Sequence, residues 1–201
     1  RGFGLGGWLV PEGYMLHNQA WISGFESPTD IENHVTDLIG TEAAEDFWEL
    51  YRANYVAQAD IDQIAEWGFN HLRVPFHYKQ FYDSTGSETP IGYAIVDELI
   101  SWCEPYNMYI ILDMHCAPGG QNGGPISDSD GTARLWLEES NKELTIQIWT
   151  EIATYYADHT LIGGYDLINE PVLPSGVTLE EFKQLYIDIT EAIREVDNNH
   201  L

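Results

Sequence analysis

Short apolar runs alternate with longer amphipathic stretches along the chain, and this alternation predicts strands that are each followed by helices. The predicted strands are at about residues 3–10, 70–76, 109–115 and 164–169. The third contains Ile110-Ile111-Leu112 and the fourth contains Leu167-Ile168, so apolar side chains point to both faces. Such runs are typical of parallel strands that are buried on both sides.

Between these runs, apolar positions recur with the 3.6-residue period of an α-helix. The clearest helix has apolar positions at Leu179, Phe182, Leu185, Tyr186, Ile189, Ala192, Ile193 and Val196. Thr178 with Glu181, and Ser140 with Glu143, have capping-box spacing and predict two helix starts. Further helices are predicted at about residues 42–55, 59–65 and 95–103.

Four β-α units in series indicate a parallel sheet. Such a sheet is either open and doubly wound or closed into a barrel. A dinucleotide-binding fold is disfavoured, because the glycine-rich segment 2–7 runs through the first predicted strand and opens no helix. A complete (β/α)8 TIM barrel takes ~250 residues, and four isolated strands would leave two open sheet edges. We therefore expect residues 1–201 to form the N-terminal half of a single barrel.

The strongly acidic composition limits the possible partners. With 33 acidic and 8 basic residues the formal charge is −25, which disfavours nucleic acid and anionic polysaccharides and suits a neutral substrate. No apolar run reaches the ~18 residues of a membrane span. The segment 128–131 is faintly similar to a calcium-binding loop. The glutamate that such a loop has further along the chain is missing, so no metal site is predicted.

The start of the chain bears on its location. It opens on Arg1-Gly2-Phe3-Gly4, without an initiator methionine. We expect a signal peptide to have been trimmed and the protein to be extracellular or periplasmic.

Polar residues with distinctive chemistry stand at the predicted ends of three strands. Arg73 lies in the second strand, His115 ends the third, and Asn169 with Glu170 ends the fourth. In a barrel, the active site lies on the face where the strands end. Because Pro171 disfavours α geometry at Glu170, that carboxylate is the strongest catalytic candidate. The alternatives are a structural ion pair for Arg73, a core histidine for His115 and a solvated loop residue for Glu170.

Loops on the same face offer candidate substrate-binding residues. They include polar groups and aromatic rings of the kinds that hydrogen-bond to sugar hydroxyls or stack on sugar rings. They are Glu12, His77, Tyr78, Gln121, Asn122, Trp8, Trp21 and Trp136.

Several segments resemble glycoside hydrolase family 5, the cellulase family A, in the right order along nearly the whole chain. They are Leu5-Gly6-Gly7-Trp8-Leu9, Gly68-Phe69-Asn70-His71-Leu72-Arg73-Val74-Pro75, Asp113-Met114-His115-Cys116-Ala117-Pro118-Gly119-Gly120-Gln121-Asn122 and Leu167-Ile168-Asn169-Glu170-Pro171.

This resemblance implies roles for individual residues. Glu170 is the expected acid/base, Arg73 supports the nucleophile, and His115 with Asn169 lines the subsite for the sugar that is cleaved off. The family's nucleophile is a glutamate after strand seven, so it is expected beyond Leu201, in the C-terminal half of the same barrel.

The expected reaction is retaining hydrolysis of a neutral β-glucan without a cofactor, most simply by an endo-β-1,4-glucanase. An exo-β-1,3-glucanase and a β-mannanase are alternatives within the family. An alternative of another class is a non-catalytic glycan-binding half-barrel, because no convincing nucleophile is found within the 201 residues.

Overall fold

The computed structural model describes residues 1–16, 26–87 and 89–201. Trp21 lies outside these ranges. The strands are β1 (Gly2–Gly4), β2 (His71–His77), β3 (Tyr109–Cys116) and β4 (Ile162–Asp166). The α-helices are α1 (Gly13–Leu16), α2 (Pro28–Ile39), α3 (Thr41–Tyr55), α4 (Gln58–Glu66), α5 (Ile91–Cys103), α6 (Glu139–Tyr156) and α7 (Leu179–Val196).

The strands form one parallel sheet in the order β1-β2-β3-β4, and every crossover carries at least one helix. Register pairs Gly4 with Arg73, and Asp113 with both Pro75 and Asp166. Since chain order equals sheet order, the strand ends meet on one rim in sequence order. This confirms the predicted fold class, the first four β-α units of a (β/α)8 barrel.

The first strand is shorter than predicted. It ends at Gly4, and the chain returns to the sheet only at Leu9, which bridges Phe76. Gly7 has φ +82°, a conformation that favours glycine, and a Cβ there would overlap the Tyr55 hydroxyl. The turn at Gly7 therefore replaces the second half of the predicted strand and directs residues 10–14 across the rim.

Of the two predicted helix starts with capping-box spacing, one is confirmed and the other is wrong. The Thr178 capping box is confirmed, since Glu181 N donates to Thr178 Oγ1 at 3.2 Å and Thr178 N donates to Glu181 Oε2 at 2.7 Å. The Ser140 capping box is wrong, because α6 already begins at Glu139.

The strand β4 ends at Asp166, before the predicted end at residue 169. Asn169 N still donates to Met114 O at 3.1 Å and keeps this segment against β3.

The hydrophobic core lies between the sheet and the helices that cover its outer face. Its fully buried members include Leu72, Leu112, Trp149 and Ile152. On the edge of β4 that faces away from β3, Tyr165 N donates to Leu201 O at 2.9 Å. Leu201 therefore occupies the position that a next strand takes in a larger sheet. None of the described helices is long and apolar enough to cross a membrane.

Candidate active site

The guanidinium of Arg73 joins three strand ends. Its Nη2 atom lies 3.0 Å from Asp113 Oδ1 and donates to Asn169 Oδ1 at 2.8 Å, while its Nε donates to Asp166 Oδ2 at 3.0 Å. Asp113 is fully buried and needs a cation nearby. The ion pair that was the structural alternative for Arg73 is therefore present, and the same guanidinium also orients the residue that precedes Glu170.

His115 lies between two carboxylates. Its Nδ1 is 2.7 Å from Asp113 Oδ2, and its Nε2 is 3.7 Å from Glu12 Oε1. Burial opposes protonation of the ring, but Asp113 and Glu12 outweigh it and raise the pKa of His115 to about 9. His115 is therefore a cation at neutral pH, and both of its ring nitrogens donate.

Two donors face each other beside this cation. Because Arg73 occupies the amide oxygen of Asn169, the amide nitrogen points toward His115 and lies 3.4 Å from Nε2. With His115 protonated, neither nitrogen accepts from the other. Together they suit a substrate oxygen, such as a sugar hydroxyl, which accepts from both.

Glu12 and Tyr14 extend the site along the chain that crosses the rim. Glu12 is buried, and Tyr14 Oη donates to Glu12 Oε2 at 3.4 Å. Burial and then the negative charge of Glu12 raise the pKa of Tyr14, and Glu170 adds to this shift. The charges of both glutamates thus act on the Tyr14 hydroxyl. Sequence reasoning missed it, although its position two residues after Glu12 was a signal.

Glu170 stands at the open side of the site. Its side chain is exposed, and its φ of +43° lies outside the right-handed helical region. Its carbonyl oxygen accepts from Asn122 Nδ2 at 3.0 Å. Among the described residues none donates a hydrogen bond to its carboxylate. The carboxylate is therefore free to exchange a proton with a substrate.

The side-chain amides of Gln121 and Asn122 are bonded to the backbone, which corrects the prediction that they bind sugar hydroxyls. Gln121 is fully buried: its Nε2 donates to His115 O at 2.7 Å and to Asn169 O at 2.9 Å, and its Oε1 accepts from Ala117 N at 3.1 Å. Asn122 is buried too, with Oδ1 accepting from Gly124 N. Both amides are committed to backbone groups and hold the strand ends in place.

His77 is also corrected, because its side chain is buried and hydrogen-bonded to Asp128. Its Nε2 lies 3.0 Å from Asp128 Oδ2, and Asp128 also accepts from Thr29 N and Thr29 Oγ1. Burial disfavours the charged form of Asp128, but His77 and Thr29 outweigh it and hold its pKa well below the usual range. Half-buried Tyr78 packs on the His77 ring, with 4.9 Å between centroids.

Through His77 and Thr29, Asp128 joins β2, the loop after β3 and the start of α2. The calcium-like segment is likewise committed to protein groups, since Asp130 pairs with Arg134. The part of the chain that is described contains no cluster of three His, Cys, Asp or Glu side chains suited to a metal ion.

The two described tryptophans that were predicted at the rim are core residues. Trp8 is 3% exposed and donates from Nε1 to Arg52 O at 2.8 Å, which fixes α3. Trp136 is 4% exposed, donates from Nε1 to Gln121 O at 2.8 Å and packs against Phe182. Neither indole presents a face for sugar stacking.

Several known proteins with similar sequences are glycosidases. The family model "Cellulase (glycosyl hydrolase family 5)" matches residues 29–201. A β-xylosidase of Phanerodontia chrysosporium is 33% identical over 205 residues, covering 100% of this chain and 41% of that protein. A probable glucan 1,3-β-glucosidase A of Aspergillus fumigatus is 28% identical, covering 98% of this chain and 47% of that protein.

The fold agrees with these matches. The crystal structure of rutinosidase from Aspergillus niger superposes with a TM-score of 0.78, covering 97% of this chain and 57% of that one at 22% identity. The chain spans about half the length of the curated relatives it matches. It belongs to glycosyl hydrolase family 5 and forms the first four β-α units of the family's barrel.

Proposed function

We propose that the complete protein is a retaining, exo-acting β-glycosidase in which Glu170 is the general acid and base. The observation that supports this proposal is the chain of contacts from Arg73 through Asn169 to His115, because Glu170, whose side chain is exposed, directly follows Asn169. A carboxylic acid at this position protonates the leaving oxygen of a glycoside.

The reaction runs in two steps. Glu170 gives its proton to the glycosidic oxygen, the glycosidic C–O bond breaks, and a second carboxylate attacks the anomeric carbon and forms a bond to it. Glu170 then removes a proton from water, and this water displaces the second carboxylate. The second carboxylate belongs about 5–5.5 Å from Glu170. We propose that the C-terminal half of the same barrel supplies it, as the family resemblance implies.

The other rim residues have supporting roles in this proposal. The positive charge of Arg73 favours the ionised form of a nearby nucleophile. His115 Nε2 and Asn169 Nδ2 hold one hydroxyl of the sugar that is transferred. Hydrogen bonds of this kind contribute most when they strengthen in the transition state.

The relatives favour exo action over the endo-β-1,4-glucanase that was expected first. Glucan 1,3-β-glucosidases of two fungi are 27–28% identical to the chain, and the β-xylosidase is 33% identical. We therefore propose a neutral β-1,3-glucan as the first substrate to test, which also suits the charge of −25. Because a polysaccharide is met outside the cell, an extracellular or periplasmic location is part of this proposal.

The test uses the complete enzyme. We expect Glu170→Ala to reduce kcat on β-1,3-glucan by about 10²–10⁴-fold, while Glu180→Ala, an exposed glutamate on α7, leaves it unchanged. Activity on an aryl glycoside with an acidic leaving group should fall less, because that group needs less protonation. Near-normal turnover of the glucan by Glu170→Ala would rule out the role of Glu170.

The products decide the mode of action. Release of monosaccharide from the first minutes supports exo action, and a ladder of oligosaccharides from carboxymethyl-cellulose or mannan would return the assignment to an endo-glucanase or a mannanase. Glycan binding by the complete protein without any hydrolysis would support the non-catalytic alternative.

A further inference from the structure

An open groove of about 480 Å³ lies beside Glu170. One wall is the loop after β3, and the other is the segment after β4. The groove is lined by Asn122, Gly123, Gly124, Pro125, Ile126, Glu170 and Val172. Its exposed lining is mostly apolar, and Val172 is 61% exposed.

The polar groups along this groove are used within the protein. Asn122 Nδ2 donates to Glu170 O, and Asn122 Oδ1 accepts from Gly124 N. Val172 N donates to Gln121 O, and Ser127 Oγ donates to Gly124 O. Among the side chains described along the groove, this leaves the Glu170 carboxylate as the one polar group without a protein partner.

The chemistry of the acid places the leaving group in this groove. The proton of Glu170 goes to the glycosidic oxygen, so the leaving group lies within hydrogen-bond reach of that carboxylate. In the proposed function the transferred sugar is held by His115 and Asn169, which are 3.4 Å apart and do not line this groove. A substrate bound across Glu170 therefore directs its leaving group along Pro125, Ile126 and Val172.

The lining of the groove distinguishes between two kinds of leaving group. A second sugar has hydroxyls around its ring, and each one that is desolvated without a partner costs free energy. An aryl or alkyl group has no such requirement and gains from contact with apolar side chains.

We propose that this groove is the leaving-group site and that it favours an apolar alcohol, aromatic or alkyl, over a second sugar. The inference rests on the proposed acid role of Glu170, but not on the choice of β-1,3-glucan. In the reaction the glycosidic C–O bond breaks, Glu170 supplies the proton, and the leaving group departs as a neutral alcohol.

The main comparison is between octyl and methyl glycosides, whose leaving alcohols have similar acidity, so that chemical reactivity does not decide the result. Octyl and methyl β-glycosides, as glucosides and as xylosides, are hydrolysed by the complete enzyme next to the β-1,3-linked disaccharide. We expect kcat/KM for the octyl glycoside to exceed that for the methyl glycoside and that for the disaccharide by about tenfold or more.

Variants locate the effect in the groove. Val172→Ser and Ile126→Ser should each reduce the octyl-to-methyl ratio of kcat/KM by about threefold or more. Each variant removes part of one apolar contact with the octyl chain, so a modest loss of discrimination is expected. Val196→Ser, at a partly exposed valine near the end of α7, should leave the ratio unchanged. A polar substitution at exposed Val172 keeps its backbone hydrogen bond, so loss of folding is not expected.

The outcomes separate this inference from the proposed function. If Glu170→Ala abolishes hydrolysis but the octyl-to-methyl ratio is near one, or the disaccharide is preferred, the apolar leaving-group site is overturned and the glycosidase assignment stands. If the wild-type ratio is high but neither groove variant changes it, the site is elsewhere and the inference fails. If the wild type hydrolyses none of the glycosides, both are overturned.

Discussion

The side-chain nitrogen of Gln121 donates a hydrogen bond of 2.9 Å to the backbone oxygen of Asn169. The same nitrogen donates to His115 O at 2.7 Å. One buried amide thus ties together the ends of β3 and β4, where the two converging donors of the site originate. Gln121 is therefore a positioning residue for the proposed reaction.

We expect Gln121→Leu to lower the free energy of unfolding of the complete enzyme by about 3 kcal/mol, because several buried backbone groups lose their partners. We also expect kcat to fall by about tenfold or more as Asn169 shifts. Chemical denaturation and steady-state kinetics measure the two effects. Gln147→Leu, at an exposed glutamine on α6, is the matched control. Equal stability of the two variants would contradict the role of Gln121.

Arg73 should be far more important for stability than Arg134, although each pairs with two acidic side chains. Arg73→Met removes one of the two cations beside the buried Asp113 and leaves only His115, so we expect a loss of about 2 kcal/mol, moderated because the Arg73 side chain is 35% exposed. Arg134→Met removes only exposed pairs with Asp130 and Glu138 and should change stability much less. Urea denaturation of both variants measures the difference, and similar midpoints would refute it.

His115 should titrate with a pKa of about 9, observable by NMR of its ring protons. Because this value lies above the ~6.5 of an unfolded chain, protonation stabilises the fold below about pH 6.5. That contribution is lost as pH rises through about 9. Asp113→Asn removes the carboxylate on Nδ1, so the pKa of His115 should fall and this loss of stability with rising pH should flatten.

Asp46→Asn, at an exposed aspartate on α3, serves as the control for this titration. It should leave both the pKa of His115 and the pH profile of unfolding unchanged. An unaltered His115 titration in Asp113→Asn would show that the carboxylate does not set the charge of the ring.

Asp128 should stabilise the protein through its charge. Its pKa is depressed in the folded state, so its contribution is present above about pH 3.9, the value of an unfolded aspartate. It is lost as pH falls toward the folded pKa. We expect Asp128→Asn to lower the free energy of unfolding at pH 7 by about 2 kcal/mol, with the gap to wild type narrowing below pH 4.

Asp130→Asn, two residues further in the same loop and exposed, is the control for this experiment. Its effect at pH 7 should be much smaller. A destabilisation by Asp128→Asn that stays constant from pH 7 to pH 3 would indicate lost packing instead of lost charge.

The strands, the main helices and the position of the rim residues were predictable from the sequence. Apolar runs specify buried strands, and in a parallel sheet every strand ends on the same side. Arg73, His115, Asn169 and Glu170 interrupt or follow such runs, so their arrival at one rim follows from topology alone. α2 was missed, although Ser27 with Asp30 gives it a capping box.

The fate of the aromatic and amide side chains was not predictable in the same way. Trp8 is buried because α3 packs over it and Arg52 O accepts its N–H from 44 residues away. Trp136 donates from Nε1 to Gln121 O, and Phe182 from α7 packs against the indole. Local sequence shows that these residues stand near the rim, but only the long-range packing decides which way they face.

The left-handed backbone conformation of Glu170 implies that thermal stability and the proposed activity favour different residues at this position. A non-glycine residue in this region typically costs about 1–2 kcal/mol, which glycine avoids. Selection for thermal robustness alone would favour glycine there, and a Glu170→Gly enzyme should melt at a higher temperature while losing the proposed acid. The chain therefore accepts a less durable fold at the position where the proposed chemistry requires a carboxylate.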